Sequence, residues 1–212
     1  MDTYYLSLFA RYADCAWTHT FVATVGMMDG SVERTVPGMY GTDSSIDGTT
    51  FGLMYEVGYV IPLDEDGEAC VQPIFNVMLR HASVGSMTED GSDAGLEVGK
   101  QSMTTLTFGL GARLQAVVGE SLYNRASIFE ARVLAKADVG DRRSEADVGF
   151  MNGFGHKATV QSAELGAIGL EVGAGLTIPL GDDDGSIFFD ASLELRSGYT
   201  NVNGTVGYRI NF

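Results

Sequence analysis

Residues 201–212 alternate in polarity to the end of the chain. Val202, Val206, Tyr208, Ile210 and Phe212 share one parity; Asn203, Thr205, Arg209 and Asn211 share the other. Successive side chains of a strand point to opposite faces, so the pattern predicts a strand with one apolar and one polar side.

The same alternation recurs along the chain. In 185–197, Ile187, Phe189, Ala191, Leu193 and Leu195 alternate with Asp190, Ser192, Glu194 and Arg196. In 160–180, Ile168, Leu170, Val172, Ala174, Leu176 and Ile178 alternate with Gly169, Glu171, Gly173, Gly175 and Thr177. In 122–138, Phe129, Ala131, Val133 and Ala135 oppose Glu130, Arg132, Lys136 and Asp138, with Leu134 as the exception. In 103–117, Leu106, Phe108, Leu110, Ala112 and Leu114 oppose Thr107, Gly109, Gly111, Arg113 and Gln115. Segments 70–84, 50–62, 16–28 and 3–12 repeat the theme, with Gln72, Asn76, Arg80 and Glu56 on the polar parity. Charges at every second position would be intolerable in the core of a sandwich. They suit a barrel whose outside meets lipid and whose lumen is wet.

Connection lengths test that reading independently. Walking from residue 13, short connections at 13–14, 64–67, 118–121 and 181–184 alternate with long ones at 29–48, 86–100 and 139–157. Transmembrane barrels have short turns on one side and long loops on the other. Only the final hairpin at 198–200 is short on the long-loop side. Pro73 cannot donate to a ladder and is expected near a strand end.

Composition agrees with many short strands: 28 Gly, 11 Phe and 9 Tyr against only 4 Pro in 212 residues, a length suited to one domain, 1–212. No run reaches the ~18 consecutive apolar residues of a transmembrane helix. A net charge of −15 argues against nucleic acid as a partner. Much of the acid sits at 64–68, 89–90, 141–147 and 182–184, in segments read as solvated connections. The run 182–185 lacks the spacing of a calcium loop. His19, His81 and His156 have no metal spacing, and no nucleophile elbow or phosphate loop is present, so neither catalytic residues, metal nor cofactor is expected. Cys15 and Cys70 are expected two strands apart, ~10 Å at the usual inter-strand spacing. A disulfide needs Cα atoms within ~7 Å, so free thiols are predicted.

The terminal strand resembles that of bacterial outer-membrane barrels, where Val206, Tyr208, Ile210 and Phe212 would form the signal read by the barrel-assembly machinery. More specifically, Tyr55-Glu-Val-Gly-Tyr-Val-Ile-Pro62, Val71-Gln-Pro-Ile-Phe75, Leu106-Thr-Phe-Gly-Leu-Gly-Ala-Arg113, 166–179 and 203–212 resemble, in order and spacing, the translocator domain of autotransporters, the type V secretion barrels. The resemblance implies an all-β, antiparallel, up-and-down transmembrane barrel of twelve strands with a helix through the pore, sited in the outer membrane. It also implies an N-terminal passenger of the same polypeptide, exported to or displayed on the cell surface.

About nine strands are read here. An antiparallel barrel closes with an even number, and an open sheet in lipid leaves edge groups unsatisfied. The first strands, the pore helix, the passenger and an export signal are therefore expected upstream. Glu56, Arg80, Arg113, Glu130, Arg132, Lys136, Glu171, Asp190, Glu194, Arg196 and Arg209 are expected to form a polar network in the lumen rather than a catalytic site. Some relatives of this kind do cut their passenger with lumen acids; a non-enzymatic domain is the expectation here. A different function class is a stand-alone small barrel of opacity or adhesin type, whose loops 29–48, 86–100 and 139–157 would bind an outside partner. Leu110, Leu170 and Val206 should face lipid. An arginine at Leu110 should cost about 2–4 kcal/mol, and one at Thr107 much less.

Overall fold

The computed structural model describes residues 2–35, 41–90, 95–120, 126–151, 157–180 and 185–210. In chain order the strands are β1 (Asp2–Asp14), β2 (Trp17–Arg34), β3 (Thr42–Tyr59), β4 (Ile61–Pro62), β5 (Ala69–Val84), β6 (Met87–Thr88) and β7 (Leu96–Val98). They continue as β8 (Gln101–Glu120), β9 (Ala126–Gly140), β10 (Glu145–Phe150), β11 (Lys157–Gln161), β12 (Ile168–Leu180), β13 (Gly185–Arg196) and β14 (Tyr199–Ile210). The described residues are all-β, and no helix is long and apolar enough to cross a membrane.

Nine long strands make one antiparallel sheet in the order β1-β2-β3-β5-β8-β9-β12-β13-β14, with β4 prolonging the partner of β5. Every neighbour in the sheet is the next long strand in sequence, which is the up-and-down connectivity of a barrel wall. Among the described residues β1 and β14 are its two open edges.

The two faces separate as the alternation requires. Leu110 is 67% exposed on the outer face, with Leu6, Phe21, Phe51, Phe75, Leu170 and Val206 also open there. Gln72, Asn76, Glu56, Thr105, Thr107 and Asp138 are buried on the inner face. Leu134, the break in the pattern, is buried on the inner face opposite Gly111. At the short-turn end the outer face carries aromatics. Trp17 meets Tyr59 edge-on at 5.0 Å, and His19 shares a 2.8 Å hydrogen bond with the Tyr55 hydroxyl. Such a belt suits the membrane–water boundary, where one end of each ring is apolar and the other wet. Pro73 lies five residues into β5, facing the gap between β3 and β4, between the pairs Gly58↔Ile74 and Ile61↔Val71. On its other side Pro73 is paired with Ala112 of β8.

Several boundaries differ from the sequence reading. The connection expected at 29–48 is largely strand: β2 and β3, 18 residues each, stay paired from Trp17↔Tyr59 to Arg34↔Thr42. A membrane strand needs ~9–11 residues, so this hairpin projects well beyond the lipid. The expected loops 86–100 and 139–157 carry β6, β7 and β10, which with β11 form a second sheet, ordered β11-β10-β7-β6. The strand expected at 160–180 is divided. Ile168–Leu180 belongs to the barrel wall and Lys157–Gln161 to the second sheet, because their backbone partners lie in different sheets.

Candidate functional site

The inner face of the wall is one connected set of charges. A β-ladder fixes which side chains stand opposite each other, and neighbours on one face lie ~5 Å apart. Arg113 on β8 therefore reaches Glu56 on β3 at 2.9 Å, Glu130 on β9 at 3.2 Å and the Gln72 carbonyl at 3.2 Å. Glu130 also lies 3.8 Å from Arg132 and accepts a hydrogen bond from Gln115. Arg132 reaches Glu171 at 3.2 Å and Asp190 at 2.6 Å. Lys136 bridges Glu171 and Glu194. Arg196 joins Glu194 to Asp138, which lies 3.9 Å from Arg80. The set runs from β3 to β13, across six of the nine long strands of the wall.

Of the expected lumen residues, Glu56, Arg80, Arg113, Glu130, Arg132, Lys136, Glu171, Asp190, Glu194 and Arg196 are brought together. Arg209 is not: its guanidinium lies 5.9 Å from the centre of the Phe188 ring on the open edge. Asp138 was left out of the expected set yet joins Arg196, Thr107 and Arg80. Its signal was present in the sequence, since it continues the parity of Glu130, Arg132 and Lys136. Val206 and Tyr208 project from the outer face of β14, open to the surroundings. Ile210 ends that strand, and Phe212 lies outside the described residues.

Thr107 does not behave as a roomy lumen position. It is completely buried, donates to Asp138 Oδ1 at 2.6 Å and accepts from Arg80 at 3.1 Å. An arginine there would displace both partners, so the expectation that this position tolerates one is wrong. Period-two alternation identifies the face but not how crowded it is.

The long-loop end is held by another ion pair. Arg34 Nε donates to Glu89 at 3.0 Å, and the second carboxylate oxygen accepts from the Leu96 backbone N–H at 3.0 Å. Glu89 is buried, and its carboxyl is held below the usual carboxylate range, first by the hydrogen bond from Arg34. Among the described residues no group of His, Cys, Asp and Glu could hold a metal ion. Cys15 and Cys70 are both free.

An antiparallel up-and-down wall with an apolar outside and an ion-paired inside defines a membrane β-barrel. The family model for the autotransporter β-domain matches residues 1–192. The chain therefore belongs to the autotransporter β-domain family, and its place is the outer membrane. Its fold is similar to the translocator domain of autotransporter NalP from Neisseria meningitidis, with a TM-score of 0.68 at 18% identity. That likeness covers 97% of this chain and 66% of the other, so the chain spans slightly less than two thirds of that structure's length. No curated protein sequence matches the chain. The family match speaks against the stand-alone adhesin-type barrel.

Proposed function

We propose that this domain inserts into outer-membrane lipid through the apolar parity and passes or holds its passenger on the ion-paired parity. The separation of faces across nine consecutive long strands carries this reading: a soluble protein would bury the first face, and this one exposes it. The open edges at β1 and β14 each present a row of unpaired backbone groups, costly in hydrocarbon. Further strands of the same polypeptide, three to reach the expected twelve, close the wall between them. Val206, Tyr208, Ile210 and Phe212 form the strand edge read by the barrel-assembly machinery. The role in this reading is non-enzymatic: Glu130, Glu171, Asp190 and Glu194 each stand within 3.2 Å of a cation, and the ion pairs engage them in the wall.

The test expresses the full-length polypeptide in a Gram-negative host and asks whether external protease reaches the passenger on intact cells. Removal of residues 1–212 should leave the passenger inside the cell envelope. A passenger that reaches the surface equally well without them would overturn the proposal.

A further inference from the structure

One cation of the inner wall is poorly matched, and it stands beside a hollow. Arg113 meets Glu56 at 2.9 Å, Arg132 meets Asp190 at 2.6 Å, Lys136 meets Glu194 at 2.9 Å and Arg196 meets Asp138 at 2.5 Å. Arg80 has only Asp138, at 3.9 Å, and that carboxylate is already held by Arg196 and by the Thr107 hydroxyl. Among the described residues its hydrogen bond goes to Thr107. The Arg80 side chain is 51% exposed, whereas the other four are buried or nearly so.

Register builds the hollow. Tyr5, Gly26, Thr50, Ala82 and Met103 form one row of inner-face neighbours from β1 to β8; Ser7, Thr24, Gly52, Arg80 and Thr105 form the next. Small side chains on β2, β3 and β5 leave a depression between Tyr5 at one end and Met103 at the other. Met78 closes it toward the short-turn side. Leu165, from the chain between the outer sheet (β6, β7, β10 and β11) and β12, closes it toward the long loops, its N–H donating to the Arg142 carbonyl at 3.0 Å. Gly52 is the floor, where an added Cβ would find no heavy atom nearer than 3.9 Å. The cavity measures about 400 Å³, within the ~300–1,000 Å³ range of small-molecule sites.

We propose that this cavity binds a single-chain anionic amphiphile, a medium-chain carboxylate whose alkyl chain lies on Met78, Met103 and Leu165 and whose head group pairs with Arg80. The apolar walls call for a chain, and a guanidinium with donors to spare calls for a carboxylate, which it grips with two parallel bonds. The other charged groups at the rim are engaged: Arg142 pairs with Glu164 at 2.7 Å, and the Asp141 carboxylate accepts from the Thr104 N–H at 2.9 Å. The chain's net charge of −15 opposes an anion mainly at long range, where salt screens it beyond ~8 Å, so Arg80 decides the sign of the head group. The inference goes beyond the translocator reading and needs only the lumen wall, not an exported passenger.

The experiment places the full-length polypeptide, with isotope-labelled methionine methyls, in lipid nanodiscs and titrates it with octanoate, octanol or octylamine. The Met78 and Met103 signals should shift saturably with octanoate, severalfold more weakly with octanol and least with octylamine. Arg80→Gln should weaken octanoate about tenfold, the effect of losing one charge-assisted hydrogen bond, and Arg80→Lys should restore part of it. Gly52→Leu should abolish binding by filling the floor, and Ala82→Leu serves the same purpose if that variant fails to assemble. Equal responses to the three amphiphiles, or equal shifts at Met27 on the lipid-facing side, would mean partition into lipid only and overturn the proposal. Met78 and Met103 signals that ignore octanoate overturn it too, since another part of the polypeptide then fills the hollow. Surface display of the passenger, measured separately on intact cells, decides the translocator reading whichever way the titration falls.

Discussion

Arg132 on β9 grips Asp190 on β13 with both terminal nitrogens, at 2.6 and 2.9 Å, by reaching across the strand between them. The residue crossed is Gly173 of β12, which stands opposite Arg132 on one side and Ser192 on the other. A Cβ at Gly173 would lie 2.8 Å from the guanidinium carbon. The glycine is thus the floor on which the ion pair rests.

Gly173→Val should therefore lift Arg132 from Asp190 and weaken the wall. Arg132→Leu should cost about 1–3 kcal/mol, between the values for exposed and fully buried pairs. Arg132→Lys should recover only part of this, because a single ammonium cannot reproduce the two-pronged contact. Urea unfolding of the full-length domain in lipid vesicles measures all three. Equal stability of Arg132→Leu and the parent would mean the network is ornamental to the wall.

Leu110→Arg should cost about 2–4 kcal/mol, since the side chain enters the hydrocarbon. Thr205→Arg, on the opposite parity and exposed, should cost much less. Thr107→Arg should now resemble Leu110→Arg in severity, for crowding rather than for lipid. Folding yields into vesicles would rank the three variants, and a benign Thr107→Arg would contradict the burial of that hydroxyl.

Both thiols should titrate as free in the unreduced protein, with no mobility change on a non-reducing gel. Cys15 occupies the tight β1–β2 turn with a φ of 51°, a conformation that favours glycine. Cys15→Gly should therefore stabilise the domain by about 1 kcal/mol, read as a higher denaturant midpoint. A bridged species, or a lower midpoint for Cys15→Gly, would contradict the turn geometry.

The Arg34–Glu89 tether should respond to acid. Glu89 titrates below its ordinary value in the folded protein, so its contribution is complete above the unfolded carboxylate pKa of ~4.3. That contribution is lost as pH falls through the lowered value. Hydrogen exchange at 85–90 and 95–98 should rise on acidification, and Glu89→Gln should show faster exchange already at neutral pH. Exchange that ignores both changes would show that the pair does not hold the outer sheet.

Deleting Phe212 should block insertion in cells while leaving folding into vesicles largely intact. One terminal ring contributes only ~1.5–3 kcal/mol by burial, too little to unmake nine long strands, yet an assembly machine that reads the strand edge would lose its anchor. Asn211→Ala, on the lumen parity, should do far less. Equal surface levels for the parent and the Phe212 deletion would remove the recognition role.

Local chemistry sufficed for the faces and for the nine long strands of the wall. Period-two alternation is a property of each segment by itself, and Leu106, Phe108 and Leu110 against Thr107 and Arg113 declare their sides whatever lies next to them. Pairing is different, because it depends on register between distant segments. Arg132 and Asp190 are 58 residues apart, and only the ladders through β12 set them face to face. The same holds for Asp138, drawn into the network by Arg196, and for Arg209, left over Phe188 on an unpaired edge. Thr107 looked like any polar lumen position until Arg80 and Asp138 closed over it. The outer sheet was hidden most completely. Its strands are only two to six residues long, too short for alternation to stand out, and their shared apolar face exists only after four separate pieces of two loops are hydrogen-bonded together.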